Sequence, residues 1–238
     1  TPLHSSAASD VYKRQELGAY SHLACNEAMA DYESVPCRTF EAALNCVREE
    51  EADLAMIPVE NSVAGRVADI HYLLGDYDLK IYAEHFQEVK HQLLAKKGTS
   101  IDEIKFVRSH SMAIGQCQTA IQRLDLKPIV MADTAGSAKY ISETGTNEDS
   151  AIASHLAAEI YGLEILESDI QDMKHNTTRF LVMSKGAQQK RDVKKSYLTS
   201  CIFEVRSVPS ALYKALGGFA TNGAVSYTHL RAHETSQN

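Results

Sequence analysis

The chain has 238 residues, 44% of them hydrophobic, and a formal net charge of -7; that is room for one large domain with a core of its own, alone or with a small appendage. The charge argues against a nucleic-acid surface, which needs clustered Lys and Arg, and no apolar run approaches the roughly 20 residues of a membrane span. Five cysteines without a C-x-x-C pair, ten histidines without H-E-x-x-H spacing and no charged-then-apolar opening point to a reduced, cytoplasmic setting with neither a disulfide framework nor a metal.

Residues 1–15 have neither helical nor strand periodicity, and residues 226–238 are equally patternless. The strings Ser5-Ser6-Ala7-Ala8-Ser9-Asp10-Val11-Tyr12-Lys13-Arg14-Gln15 and Ser226-Tyr227-Thr228-His229-Leu230-Arg231 look like translated sequencing-adapter read-through. Both segments are therefore expected to be non-native. If the first of them stands where an opening strand belongs, the sheet is left with a gap and unpaired backbone, and the chain is expected to be marginally stable. Phe40, Ala43, Leu44 and Val47 recur at helical spacing, so residues 39–51 read as a helix capped by Thr39. Residues 53–59 read as a buried strand. A short strand at 105–108 precedes a helix carrying Ile114, Cys117, Ile121 and Leu124. A strand at 128–132 leads into a helix from Asp133 or Thr134 toward Ser142, and another at 151–153 into a helix over 155–161 that Gly162 stops. Phe180-Leu181-Val182-Met183 reads as one more strand. This alternation predicts an α/β fold with a largely parallel sheet. Lys190, Arg191, Lys194 and Lys195 belong to a solvated polar linker over 186–196. Beyond it a strand is expected over 198–205, then a helix capped by Ser210 that carries Leu212, Ala215, Leu216 and Phe219 and ends at Asn222-Gly223.

Several polar groups invite a functional reading beside a plain one. The junctions Ser109-His110-Ser111, Asp133-Thr134 and Ser154-His155 each bring backbone N–H groups and a hydroxyl to a helix start, which favours anions; ordinary capping explains each singly. Asn61 and Ser62 follow a buried strand and fit either a ligand contact or an Asx-turn. Glu60 reads as structural, because a free carboxylate would repel an anionic ligand. Gln116 is close enough to its helix start to reach a cleft, while Cys117 reads as a packed small hydrophobe. His22 and His110 read as polar scaffold. Thr178 and Arg179 stand at a loop-to-strand junction, where a hydroxyl and a guanidinium could converge on one ligand. In a regular strand they would face opposite ways.

Taken together, Pro58-Val59-Glu60-Asn61-Ser62, Ser109-His110, Gln116-Cys117 and Asn176-Thr177-Thr178-Arg179-Phe180, in this order and at these separations, resemble the prephenate dehydratase family. Glu16-Leu17-Gly18-Ala19-Tyr20-Ser21 resembles what remains of the family's opening motif, with Leu17 where Pro is common, and Ser111 stands where the family has Pro. The resemblance implies a two-lobed fold like the type II periplasmic solute-binding proteins over residues 16–185, with one lobe at about 16–90 plus 172–185 and the other at about 91–171. The site would be the cleft between them. It implies loss of carbon dioxide and water from prephenate to give phenylpyruvate, in phenylalanine biosynthesis, with no cofactor and no metal. Thr178 would donate to the departing hydroxyl and Arg179 clamp a carboxylate. Asn61, Ser62, Ser109, Gln116, Thr134 and Asn176 would bind the substrate. Residues 197–225 resemble the start of an ACT regulatory domain (ferredoxin-like α+β). There Ser210-Ala211-Leu212-Tyr213 matches a phenylalanine-effector motif in which Ser210 replaces the usual Gly. The second effector motif is absent from this chain, so no allosteric response to phenylalanine is expected of it. A homodimer or homotetramer is implied, without nucleic-acid or membrane partners. Two other readings stay open: a binding module of the same fold, and an arogenate dehydratase.

Overall fold

In the computed structural model, residues 10–14, 16–37, 39–186 and 203–223 are described. The chain divides into two units, Thr1–Arg191 and Asp192–Asn238.

The first unit is built on two sheets. Its first sheet contains β1 (Asp10–Arg14), β2 (Glu33–Cys37), β3 (Leu54–Asn61), β4 (Gly65–Arg66), β5 (Lys80–Glu88) and β11 (Thr177–Ser184), in the order β2-β1-β3-β11-β5 with β4 on β3. β1 is parallel to both its neighbours, and β11 is antiparallel to β3 and β5. The period-2 alternation of a strand puts Leu54 and Met56 on one face with Phe180 and Val182, packed against Ala24 and Cys25 of α1 (Tyr20–Ala28). Ala55, Ile57, Leu181 and Met183 face the other way, toward Phe40, Leu44 and Val47 of α2 (Phe40–Arg48) and Ile70 of α3 (Ala68–Asp76). Thr39 caps α2 as expected, its hydroxyl accepting from Ala42 N at 3.1 Å.

The second sheet runs β10-β6-β9-β7-β8, from β6 (Gln92–Ala95), β7 (Phe106–Ser109), β8 (Lys127–Val130), β9 (Asp149–Ala153) and β10 (Glu164–Glu167). Leu93, Val107 and Ile152 pack on the side of α4 (Ser111–Gly115) and α5 (Gln118–Arg123). Leu94, Ala151 and Ala153 pack on the side of α6 (Thr134–Thr144) and α7 (His155–Tyr161). Gly162 ends α7 at φ 65°, a left-handed cap that suits glycine. The chain crosses between sheets twice, at residues 89–91 and 168–176. The two crossings are bonded side by side: Val89 N donates to Asn176 O at 2.7 Å and Ile170 N to His91 O at 2.9 Å.

Four expectations need correction. The sheets are mixed rather than largely parallel, with β11 antiparallel to β3 and β5 and β6 antiparallel to β9 and β10. The place of the opening strand is filled: β1 lies between β2 and β3, paired with both, although its sequence belongs to the foreign-looking segment. Main-chain pairing asks only for an extended backbone, so side-chain pattern is a poor guide to it. The expected single helix through Ile114 and Leu124 is two, α4 and α5, meeting at Gln116 and Cys117. The Asp172 carboxylate caps the second, accepting from Gln118 N at 2.9 Å and Thr119 N at 3.1 Å. In the second unit, the strand expected over 198–205 lies partly outside the described residues, and 203–206 have no regular structure. That unit holds α8 (Ala211–Thr221), whose residues are all at least partly exposed. Ser210 occupies its N-cap but makes no side-chain cap bond. Its φ of 62° is left-handed, whereas a bonding cap has an extended backbone.

Candidate active site

Between the two sheets of the first unit lies a cleft of about 370 Å³. Its polar lining comes from Tyr20 and Ser21, Asn61, His91, His110, Gln116, Asp133 and Thr134, and Asn176 and Thr178. Phe40, Pro58, Val89, Met112 and Phe180 supply apolar wall. A few polar groups converging in an apolar cleft between lobes is the usual form of a small-molecule site. A second depression of about 550 Å³ lies around Val47, Asp53 and Gly186, where Lys185 and Glu50 pair with each other at 2.6 Å.

At the centre is a chain of amides. Asn61 closes an Asx-turn: its Oδ1 accepts Val63 N at 3.0 Å and Ala64 N at 2.7 Å. That fixes which end of the amide is nitrogen. Nδ2 then donates to Asn176 Oδ1 at 2.7 Å and to Thr178 Oγ1 at 2.9 Å. Asn176 Nδ2 in turn donates to Gln116 Oε1 at 2.9 Å. Because the Thr178 oxygen accepts from Asn61, its own hydrogen is left for another acceptor. The two readings of Asn61, as turn-former and as cleft residue, are thus one arrangement.

His91 continues the line. Its Nε2 lies 2.8 Å from Gln116 Oε1 and its Nδ1 2.7 Å from the Tyr20 hydroxyl, which is also 2.9 Å from Lys90 O. Burial holds the His91 pKa below the ordinary imidazole range, partly opposed by the Gln116 bond. Burial, with the charges of Cys117 and Asp169, holds the Tyr20 phenol well above its usual range. On the opposite wall, His110 Nδ1 accepts Met112 N at 3.3 Å, capping α4. Tyr20 and Ser21 of α1, Met112 and Ala113 of α4 and Thr134 of α6 are first-turn residues of three helices. These helix starts border the cleft, and that of α6 is already capped by Asp133, whose Oδ1 accepts Gly136 N at 2.6 Å. Among the described lining residues there is no Lys or Arg.

Of the residues singled out in the sequence, Thr178, Asn61, Gln116, Thr134 and Asn176 come together here. Arg179 does not. Strand alternation turns it from Thr178, and its guanidinium pairs with Glu84 of β5 at 2.8 Å; the expected carboxylate clamp is not in the cleft. Ser109 is fully buried, its hydroxyl donating to Ile152 O at 2.6 Å. Ser62 ties the loop before β11, accepting Thr177 N at 2.9 Å and donating to His175 O at 3.3 Å. The junction at Ser154 is spent on Gly18 O and Ala157 N. Cys117 is buried in the core of the second lobe, its thiol pushed up to about 12 by burial and then by Asp172. His22 is scaffold: its Nδ1 accepts Gly18 N at 3.0 Å. His110, read as scaffold, is on the cleft wall, and Tyr20, His91 and Asp133 were not singled out as ligand contacts. The family-like stretch Gly18-Ala19-Tyr20-Ser21 was the one signal that could have drawn attention to Tyr20; nothing local marks His91. The effector-motif residues Ser210, Ala211 and Leu212 belong to the second unit, at the start of α8.

Residues 16–188 match the prephenate dehydratase family. The chain is similar to the bifunctional N-acyl-homoserine lactone acylase/prephenate dehydratase of Komagataeibacter europaeus, 44% identical over 216 residues, which are 91% of this chain and 76% of that protein. It is 40% identical over 203 residues to arogenate dehydratase/prephenate dehydratase 1 of Arabidopsis thaliana, covering 85% of this chain but 52% of the relative; the chain spans about half the length of the plant relatives it matches. Among solved structures it is similar to one described as GqqA, a novel type of quorum-quenching acylase, with TM-score 0.82 and 40% identity over 96% of this chain and 83% of that one. It is also similar to prephenate dehydratase from Arthrobacter aurescens in complex with L-Phe, with TM-score 0.76 and 27% identity over 89% and 72% of the two chains. A two-sheet α/β unit that reproduces the fold of solved prephenate dehydratases, matched to the family along most of its length, leaves one assignment: the chain belongs to the prephenate dehydratase family, hydro-lyases of phenylalanine biosynthesis.

Proposed function

We propose that the cleft converts prephenate to phenylpyruvate, with Thr178 as the donor to the departing hydroxyl. Aromatisation of the ring drives loss of carbon dioxide and hydroxide, so the protein need only hold an anion, exclude water and assist the leaving oxygen. The observation that carries this reading is the bond from Asn61 Nδ2 to Thr178 Oγ1, at 2.9 Å, which leaves the threonine hydrogen available to a ligand. A threonine hydroxyl is a weak acid, and its contribution is a hydrogen bond that strengthens as charge grows on the leaving oxygen. With Arg179 held by Glu84, the substrate's carboxylates are assigned to the starts of α1 and α4, the start of α6 being held by the Asp133 carboxylate. Gln116 and Asn176 position the ring, beside Thr134.

Asp133 on the cleft wall favours a second substrate. A carboxylate there repels a dianion but would pair with an ammonium group, and arogenate carries one on its side chain. Phenylpyruvate formation from prephenate and phenylalanine formation from arogenate, each with Thr178→Ala as control, decide between them. Removing a positioned donor costs roughly 10²–10⁴-fold in rate. Thr178→Ala is therefore expected to lower kcat by at least about 10²-fold, at the low end of that range, with KM little changed. A near-normal kcat would remove Thr178 from the mechanism. Binding of prephenate without turnover would favour the binding-module reading.

The Arthrobacter aurescens relative was solved with L-Phe, which supports phenylalanine as effector of the natural full-length protein through an ACT domain begun at Ser210, Ala211 and Leu212. A homodimer or homotetramer working in the cytoplasm completes the proposal.

A further inference from the structure

We propose that His91 is a positioning residue for this site, held as the tautomer with hydrogen on Nε2 and acting on Thr178 through Gln116, Asn176 and Asn61. The role in turnover rests on the prephenate reading; the tautomer does not. The inference follows from the direction of each bond. Val63 N and Ala64 N fix the Asn61 oxygen, so Asn61 must donate to Asn176 Oδ1. Asn176 must then donate to Gln116 Oε1. Turning over any one of these amides would set two N–H groups or two oxygens against each other. Gln116 therefore shows its oxygen to His91 Nε2, 2.8 Å away, and only an Nε2–H is compatible with it. Burial at 2% exposure disfavours the imidazolium, which leaves Nδ1 bare. The Tyr20 hydroxyl lies 2.7 Å from Nδ1 and donates to Lys90 O at 2.9 Å; with Nδ1 bare, its one hydrogen is shared between these two acceptors.

His91 and Tyr20 thus close one end of a line whose other end is the Thr178 hydroxyl. With Nε2–H in place, the Gln116 oxygen is held inward between two donors, and its Nε2 is the end presented to a ligand. Without that donor the amide is free to turn, Asn176 loses its acceptor, and Asn61 loses the partner that holds it against Thr178. His91 sits on the crossing at 89–91, with its main-chain N–H held by Gln171 Oε1 at 2.8 Å, so the anchor is set by the junction of the two lobes.

The test combines ¹⁵N NMR of the histidine rings with steady-state kinetics on prephenate, using the full chain and His91→Phe, His91→Gln and Tyr20→Phe. We expect the ring nitrogens of His91 to report hydrogen on Nε2 and a bare Nδ1 at neutral pH, and to do so still in Tyr20→Phe, because the Gln116 oxygen sets the tautomer. His91→Phe, which keeps bulk but not the donor, is expected to lower kcat about 10- to 100-fold with KM little changed, the scale of coupling within one hydrogen-bond network. His91→Gln, which restores an N–H donor, is expected to recover most of the loss. An Nδ1–H tautomer or a stable imidazolium would overturn the proposal. So would wild-type kcat in His91→Phe, or equal damage in His91→Phe and His91→Gln, which would make the ring mere packing. If the unaltered chain has no turnover, the prephenate reading falls and the role in turnover with it, while the NMR result still decides the tautomer.

Discussion

Thr178 and Arg179 are neighbours in the chain and strangers in the fold. One lines the cleft, its oxygen accepting from Asn61; the other is bound to Glu84 with its side chain 24% exposed. At that exposure an ion pair contributes about 1 kcal/mol or less. Arg179→Ala and Glu84→Ala are therefore expected to destabilise by similar small amounts, with the double variant costing no more than either alone. Urea titrations of the four proteins measure this; fully additive costs would dissolve the pairing. His91 has a separate signature. Its pKa is lowered by burial, so the folded state binds fewer protons than the unfolded chain, and stability rises with pH. The contribution is complete above the ordinary imidazole value of 6.5 and is lost as pH falls from there through the lower folded value. Melting temperature measured across that window is expected to climb less steeply in His91→Gln than in the unaltered chain; parallel curves would show that His91 is not the group responsible.

At the scale of elements, helix and strand types were largely legible, and their ends were legible where a cap is local. Thr39 before α2, Asp133 before α6 and Gly162 after α7 act within three or four residues of their own positions. The break between α4 and α5 was not legible, because the carboxylate that caps α5 comes from Asp172, more than 50 residues away in sequence. Ser210 is a third case. A left-handed backbone costs a non-glycine residue roughly 1–2 kcal/mol, partly offset by the greater freedom glycine has when unfolded. Ser210→Gly is therefore expected to stabilise the start of α8 by about 0.5 kcal/mol. Slower amide exchange at Lys214, whose N–H bonds to Ser210 O at 3.0 Å, would register it; faster exchange would contradict it.

Over the first unit as a whole, the two lobes meet where the loop before α1 touches α7. Gly18 has φ 86°, and a Cβ there would lie 2.7 Å from Ala157 Cα. Its carbonyl accepts from Ser154 Oγ at 2.5 Å, and Tyr161 Oη donates to Leu17 O at 2.9 Å. Gly18→Ala combines backbone strain with a clash against main chain, and is expected to cost about 2–3 kcal/mol, of the order of an overpacked core site. Thermal unfolding measures it; a loss below the error of the method would mean the lobes part without penalty. The same contact holds Tyr20, the first residue of α1, opposite His91, so activity is expected to fall with stability in this variant. What the sequence determined by itself was whatever acts over a few residues: the alternation that makes an α/β chain, the caps, the Asx-turn at Asn61, and motif strings dense enough to suggest the family. Tertiary structure alone decided which of those residues share a cleft. Strand alternation and pairing turned Arg179 to Glu84, burial gave Ser109 to a main-chain carbonyl, and the crossing between lobes brought His91 into line with Gln116, because directions of side chains and partners distant in sequence exist only once the sheets are assembled.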